Sequence, residues 1–151
     1  MTAYFREAKR SDLEQLVHLL ADDSLGKQRE DVSQPLNQRY IDAFEAIMMD
    51  ANNHLLIAVV KERIVGMLQL TLTPYLTHIG SWRCTVEGVR IHPECRGMGL
   101  GNEMLERAIV LAKEKGCSLI QLTTDKQRPE AMRFYQRLGF NASHQGMKLH
   151  L

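Results

Sequence analysis

The segment Arg96-Gly97-Met98-Gly99-Leu100-Gly101 has a residue pattern with a direct chemical meaning. Three glycines at alternate positions, just before a helical run, let backbone N–H groups approach a phosphate, and a helix N-terminus adds a partial positive charge. Arg96 adds a permanent cation. A flexible turn would explain one or two of the glycines, but not the basic residue and the helix together. The segment, called the glycine loop below, is therefore predicted to bind phosphate between a strand and a helix.

Two common nucleotide-binding loops do not fit these letters. A dinucleotide-binding GxGxxG starting at Gly97 needs glycine at position 102, where Asn102 stands. The GxxxxGK[ST] pattern of P-loop proteins does not occur in the sequence. Both of these nucleotide-binding classes are excluded.

The cysteines and histidines favour neither a metal site nor a disulfide framework. Cys84, Cys95 and Cys117 include no CxxC pair, and the histidines show no HxxxH or HExxH spacing. A nucleophilic cysteine would need a thiol of lowered pKa beside a base, and His92 is near Cys95 in sequence. Buried or incidental thiols are the preferred interpretation. We predict reduced cysteines and no metal.

The elements around the glycine loop must bring its N–H groups to one edge of a sheet. The stretch from Trp82 to Thr124 is typical of a parallel, right-handed strand-helix-strand crossover, which puts a ligand at the carboxyl ends of the strands. Val86 and Val89 change parity along the first of these strands, which indicates a β-bulge around Gly88.

Apolar periodicity along the whole chain predicts a mixed sheet covered by helices on both faces. The order is strand, two helices, three strands, helix, strand, helix, strand, with a polar loop between the first two helices. Strands are predicted at 4–8, 55–60, 64–73, 82–91, 119–123 and 147–151, and helices near 11–20, 40–48, from the glycine loop to Gly116, and near 129–138.

Composition limits the kind of protein. A chain of 151 residues with 44% hydrophobic and 25% charged residues is expected to form one domain, 1–151, around one core. Its formal net charge of +1 offers no broad field for nucleic acid or an anionic membrane. The sequence has neither a signal core nor an apolar run long enough to span a bilayer. We expect a soluble, cytoplasmic protein.

Two segments resemble the GNAT superfamily of N-acetyltransferases. Arg96-x-x-Gly99-x-Gly101 matches its acetyl-coenzyme A signature, and 86–94 resembles its central bulged strand and Pro-Glu exit. Residues 131–140, Ala-Met-Arg-Phe-Tyr-Gln-Arg-Leu-Gly-Phe, resemble its second signature. The resemblance implies the GNAT fold, an α/β (α+β) arrangement with a central mixed, mostly antiparallel twisted sheet, a parallel strand-helix-strand crossover and helices on both faces.

The resemblance also implies a cofactor site for acetyl-coenzyme A, used as cosubstrate without a metal. Backbone N–H groups of Val89, Ile91 or both are expected against the pantetheine and the thioester oxygen. The family often has Asn three residues before the Ala of its second signature, and here Arg128 stands there, so Arg128 is expected to bind the cofactor differently or not at all. The remaining expected contacts are Arg96, Gly97, Met98, Gly99, Leu100 and Gly101.

Two side chains are candidates for proton transfer. Glu87 is the only ionisable side chain between Val86 and Val89 and is a candidate to accept the amine proton, directly or through water; it is equally well explained as a solvated carboxylate or a partner of Arg90. Tyr135 matches the family's general acid, and a phenol with a pKa of about 10 can protonate a departing thiolate. The alternative for Tyr135 is a core side chain.

The predicted function is direct acetyl transfer, in a ternary complex, to a primary amine of a small molecule or peptide. The alternative is a non-catalytic module that senses acetyl-coenzyme A. Residues 22–40 mix acidic and basic side chains, so they do not identify the amine. Because the closing strand is short, a second subunit is a candidate to complete the acceptor pocket, which makes a homodimer possible.

Overall fold

The computed structural model describes residues 2–151, which form a five-stranded sheet in the order β1-β2-β3-β4-β5. The first four strands pair antiparallel, and β4 pairs with β5 in parallel. The strands are β1 (Tyr4–Glu7), β2 (Asn53–Val60), β3 (Arg63–Pro74), β4 (Trp82–Ile91) and β5 (Cys117–Leu122). The helices are α1 (Leu13–Ala21), α2 (Ser24–Arg29), α3 (Gln38–Met49), the short turn α4 (Thr77–Gly80), α5 (Leu100–Glu114) and α6 (Pro129–Arg137), with 3-10 turns at Arg10–Asp12 and Pro93–Cys95.

The sheet is covered on both faces, as the sequence predicts. Leu68, Leu70 and Val86 pack on one face against Met104 and Leu105 of α5, with α6 at the margin. The other face packs against α1 and α3 through a second group of buried side chains, among them Val17, Phe44, Ile57 and Met67. Alternate residues of the central strands supply the two cores, because successive side chains of a strand point to opposite faces.

The predicted bulge in β4 is confirmed. Glu87 lies opposite Gln69 and Arg90 lies opposite Met67, so Gly88 and Val89 together face the single residue Leu68. Gly88 has a φ of 61°, a backbone conformation that glycine adopts without steric cost. The bulge therefore resets the alternation of β4 where the strand approaches the glycine loop.

Two sequence-based expectations about elements are wrong. The segment predicted as a loop after α1 contains α2, whose first turn is capped by the Asp23 side chain accepting from the N–H of Gly26. The predicted strand at 147–151 is not formed: β5 is the last strand, and Met147, Leu149 and Leu151 have exposed fractions of 95%, 86% and 117%. Alternation of apolar and polar residues does not by itself provide a strand to pair with, and the segment 147–151 pairs with no strand within residues 2–151.

Within residues 2–151, no helix combines the length and the apolar character that crossing a membrane requires.

Candidate active site

An opening in the sheet lies between β4 and β5. Pairing between these strands ends at Val86 and Leu122, although β4 continues to Ile91. The β4 residues beyond Val86 thus turn backbone groups toward a space that β5 does not fill. Such a space suits an extended, amide-containing ligand, because unpaired strand N–H and C=O groups can bind it.

The bulge determines which side chains border this opening. Because cross-strand partners share a face, Glu87 and Arg90 lie on the face of Gln69 and Met67, toward α1 and α3. Val89 and Ile91, expected to offer backbone N–H groups, direct their side chains to the α5 face. In a regular strand without the bulge, Glu87 and Arg90 are three positions apart and would lie on opposite faces.

The glycine loop forms the entry to α5. Gly97 and Gly99 have φ values of 76° and 82°, and Gly99 caps α5 without a side-chain hydrogen bond among the described residues. Met98 is exposed, whereas Leu100 is buried in the core. The N-terminal amides of α5 therefore remain available for an anion.

Two further contacts fix the glycine loop in place. A Cβ on Gly101 would lie 3.2 Å from Cζ of Phe134, so glycine permits close packing of α5 against α6. The Nε of Arg96 donates to the carbonyl of Ile91 over 3.1 Å, which ties the loop back to β4. The glycine loop therefore combines backbone N–H groups with a cation, an arrangement that suits a phosphate group.

Tyr135 lies on α6 beside the opening. Its ring packs edge-on against Phe134 and Phe140, with centroid distances of 5.2 Å and 5.8 Å. Burial raises the pKa of Tyr135; the charges of Arg90 and Arg128 oppose this rise and the charge of Glu87 adds to it. These interactions put Tyr135, Glu87 and the two arginines in one electrostatic neighbourhood, and with a raised pKa the phenol is protonated at neutral pH.

Arg128 is held by Asp23, an acid that no local sequence pattern connects with it. Its Nη2 contacts Oδ2 of Asp23 over 2.8 Å, and the other oxygen of Asp23 caps α2. The start of α6 is thereby linked to the start of α2.

From the sequence, Arg90 is expected only as a possible ion-pair partner of Glu87. Glu87 is exposed and takes part in none of the ion pairs found among residues 2–151, whereas Arg90 donates from Nη1 to the carbonyl of Val89 over 2.8 Å. The signal that could have identified Arg90 is its spacing of three from Glu87 across a bulge glycine. Asp23 has no such signal, since its role depends on the path of α2.

Cys84 and Cys117 lack the properties of a nucleophilic thiol. Cys84 is fully buried, and burial raises the pKa of its thiol to about 11. Burial also raises the pKa of the Cys117 thiol. A thiol with a raised pKa has little of the thiolate form that attacks a thioester, so the covalent route has no support from these two cysteines.

A surface cavity of about 720 Å³ lies apart from this opening, beside β1, β2 and α5. Its lining includes Phe5, His54 and Arg107 but none of the candidate site residues. The candidate site residues therefore do not border this cavity.

The fold and this opening define an acetyltransferase of the GNAT type, and comparison with known proteins agrees. The family model described as Acetyltransferase (GNAT) family matches residues 13–140. The chain therefore belongs to this family, whose acetyltransferases use acetyl-coenzyme A.

Two curated relatives are named for their amine substrates. The aminoalkylphosphonate N-acetyltransferase of Salmonella typhimurium is 33% identical over 107 residues, which cover 71% of this chain and 69% of that protein. The glucosamine 6-phosphate N-acetyltransferase of Trypanosoma brucei brucei is 33% identical over 89 residues, which cover 59% and 58% of the two chains.

Solved structures extend the similarity over the whole fold. A protein described as a transcriptional regulator from Bacillus halodurans C-125 is 57% identical, with a TM-score of 0.97 over 99% of this chain and all of that chain. A protein from Clostridium acetobutylicum, described as a predicted acetyltransferase with acetyl-CoA, has a TM-score of 0.77 over 99% and 96% of the two chains. Its identity is 20%, so this second likeness concerns the fold alone.

Proposed function

We propose that this protein transfers an acetyl group from acetyl-coenzyme A directly to a primary amine of a small molecule or peptide, in a ternary complex. The observation that carries the proposal is the opening between β4 and β5, which lies near the start of α5, where Gly99 provides no side-chain cap, and near Glu87, which acts electrostatically on Tyr135. The two curated relatives are named for amines with a phosphonate or phosphate group, so such amines belong among the acceptors to be tested.

The side chains at the opening match the proton transfers that the reaction needs. Acetyl-coenzyme A supplies an activated acetyl group as a thioester. Glu87 takes a proton from the amine, directly or through water, as the nitrogen bonds to the acetyl carbon. Tyr135 gives its phenolic proton to the sulfur as the carbon–sulfur bond breaks, and solvent restores both side chains. The products are an amide and the free thiol of coenzyme A.

A thiol-release assay with acetyl-coenzyme A and a panel of primary amines tests the proposal. At least one amine should release coenzyme A and become acetylated, with both substrates required together. Glu87→Gln should lower kcat/KM at neutral pH by about 10-fold to 100-fold, since it removes a proton acceptor. Glu62→Gln, an exposed change in the β2–β3 turn, is the matched control. Binding of acetyl-coenzyme A without any turnover would contradict the proposal.

A regulatory role is the second candidate. It has support because the 57% identical solved structure is described as a transcriptional regulator. A regulator would bind acetyl-coenzyme A but leave every amine unmodified, and Glu87→Gln and Tyr135→Phe would not change its output. The same assay, combined with a binding measurement, therefore separates the two functions.

We also propose that the protein forms a homodimer through the segment 147–151. Its apolar side chains Met147, Leu149 and Leu151 are exposed, and β5 has β4 as its neighbour at the end of the sheet order. An unpaired edge strand readily accepts another strand, and exchange of identical segments is a common route to a dimer. A second copy of this segment is a suitable occupant for that edge.

A further inference from the structure

Arg90 is a partly buried cation with unused hydrogen-bonding capacity. Its Nη1 donates to the carbonyl of Val89, while its Nε is buried and has no hydrogen-bond partner within the described residues. Buried donors of this kind normally have a partner, and an unmade hydrogen bond costs free energy. The guanidinium therefore has an N–H donor that no described residue uses.

The charges around Arg90 do not neutralise it. Arg128, Arg29, Asp23 and Glu30 all act on it electrostatically, and burial followed by the Arg128 charge lowers the pKa of Arg90. Each of the two acids, however, is engaged elsewhere. Asp23 contacts Arg128 over 2.8 Å, and Glu30 contacts Arg29 over 3.0 Å. Among these five charged groups, Arg90 is the one without an ion pair within residues 2–151.

The position of Arg90 relates it to the proposed proton acceptor. Glu87 and Arg90 share a face of the sheet, and their partners Gln69 and Met67 are two residues apart on β3. Two residues of a strand span roughly 7 Å. Two carbons between a nitrogen and a phosphorus span roughly 4 Å, since each single bond is about 1.5 Å long. Long side chains can contact both ends of such a molecule.

We propose that Arg90, assisted by Arg128, binds the phosphonate or phosphate group of the acceptor, which is a short primary amine with a tetrahedral dianion. This inference rests on the proposed acetyl transfer and names its acceptor class. A guanidinium forms paired hydrogen bonds with such an oxyanion. Arg128 keeps donors beyond those used on Asp23, because a guanidinium has five N–H groups. The anion at Arg90 directs the amine toward Glu87.

The test compares four acceptors at saturating acetyl-coenzyme A: 2-aminoethylphosphonate, O-phosphoethanolamine, β-alanine and propylamine. The wild-type kcat/KM for the better phosphorus-containing amine should exceed that for propylamine by about 100-fold, a gain expected from paired charge-assisted hydrogen bonds. Arg90→Gln should reduce this ratio below about 10-fold, mainly through KM for the amine. The preferred one of the two dianions shows whether the acceptor carries a phosphonate or a phosphate group.

Arg83→Gln is the matched control for charge. Arg83 lies at the other end of the same strand, where it stacks on Tyr75 at 4.4 Å, and its removal should leave the ratio unchanged. The proposal is wrong if β-alanine is used as well as the dianions, or if Arg90→Gln leaves the ratio unchanged. It is also wrong if that substitution weakens only acetyl-coenzyme A binding.

Calorimetric titration with methylphosphonate, which has no amine, separates this proposal from acetyl transfer. The wild type should bind methylphosphonate, and Arg90→Gln should weaken that binding by about 10-fold or more, as expected for loss of a charge-assisted contact. If no amine is acetylated but methylphosphonate binding still depends on Arg90, acetyl transfer fails and the anion site stands. Equal binding by wild type and variant overturns the anion site.

Discussion

Opposing effects act on the pKa of Tyr135 at the edge of the opening. Burial among Phe134 and Phe140 favours the neutral phenol, whereas Arg90 and Arg128 favour the phenolate. Burial is the larger influence, so the pKa lies above its ordinary value near 10. A phenol in this state is protonated at neutral pH and has a proton to give to a departing thiolate.

Tyr135→Phe should reduce kcat by about 100-fold, because general acid catalysis is lost while the aromatic packing is kept. KM for acetyl-coenzyme A should change little. Thiol release at saturating substrates measures both constants, and Tyr4→Phe, an exposed phenol on β1, serves as control. A kcat within about 3-fold of the wild type would remove Tyr135 from the reaction.

The raised pKa of Tyr135 also has a consequence for the pH dependence of the reaction. Because a raised pKa keeps the acid form present well above neutrality, kcat should not fall between pH 7 and 9. A decline in that range that disappears in Tyr135→Phe would mean that the phenol titrates there.

The sequence predicts some side chains of the candidate site but not others. Glu87 and Tyr135 are predictable because a strand pattern and a helical signature contain them. The contact between Asp23 and Arg128 joins residues about a hundred positions apart, so no local pattern reveals it. Arg90 is predictable only in part. The bulge determines the face of the sheet on which its side chain lies, but the lack of an ion pair for Arg90 among the described residues depends on where α2 lies.

The N-terminus of α5 is the element most directly tied to cofactor binding. Gly99 and Gly116 flank α5 with φ values of 82° and 80°, and a Cβ at either position would meet no atom within 4 Å. A loss of stability caused by alanine at either position would therefore come from backbone strain. The two positions differ in that only Gly99 lies in the glycine loop.

Gly99→Ala and Gly116→Ala should each lower the free energy of unfolding by about 1 to 2 kcal/mol, the cost of a left-handed backbone for a non-glycine residue. Only Gly99→Ala should weaken coenzyme A binding, because its strain shifts the N–H groups that hold the phosphates. Urea denaturation and calorimetric titration provide the two measurements. Equal coenzyme A affinity in both variants would argue against phosphate binding at the loop.

The start of α1 depends on a buried carboxylate. Asp12 is 5% exposed, and its oxygens accept from Arg6 over 2.7 Å and 3.0 Å and from the N–H of Lys9 over 2.8 Å. Burial alone would raise the pKa of Asp12, but these hydrogen bonds and the Arg6 charge hold it below its ordinary value. Ionised Asp12 therefore stabilises the folded state by linking β1 to α1.

Asp12→Asn should lower the free energy of unfolding at pH 7 by about 1 to 3 kcal/mol. Since the folded pKa is depressed, the contribution is present above about pH 4 and is lost as the pH falls further, so the difference should shrink toward pH 3. Urea denaturation at pH 7, 5 and 3 measures this trend, with the exposed Asp42→Asn on α3 as control. A difference independent of pH would exclude the ion pair as its cause.

The elements were predictable where the residues that form them are neighbours in the chain. Parity change around Gly88 revealed the bulge, and turn residues located the β2–β3 hairpin. The helix α2 was missed because its six polar and mixed residues, Ser24–Arg29, depend on a cap at Asp23 rather than on apolar periodicity. The strand expected at 147–151 failed because a strand needs a partner, which local alternation cannot specify.

At the scale of the whole molecule, the candidate site draws on segments that the sheet topology brings together. The end of β4 supplies Glu87 and Arg90, the crossover supplies the glycine loop, and α6 supplies Arg128 and Tyr135. All of these lie beside the parallel pair β4–β5, where the strands diverge. Gly146 lies close to Thr123, just beyond β5: a Cβ added to Gly146 would be 3.5 Å from Cγ2 of Thr123. The segment 147–151 therefore begins beside β5, and the proposed homodimer would add a second copy of this segment next to the region.

Leu149→Asp should convert the dimer to a monomer, because a carboxylate cannot be buried unpaired in an apolar interface. Sedimentation or light scattering over a range of concentrations measures the mass of the wild type and the variant. Ile79→Asp is the matched control: Ile79 is also fully exposed, with a fraction of 104%, but lies on the β3–β4 turn. A wild-type mass of one chain at all concentrations, or a dimer that survives Leu149→Asp, would contradict this assembly. If the second copy completes the acceptor pocket, KM for the amine rises on dissociation while acetyl-coenzyme A affinity is retained.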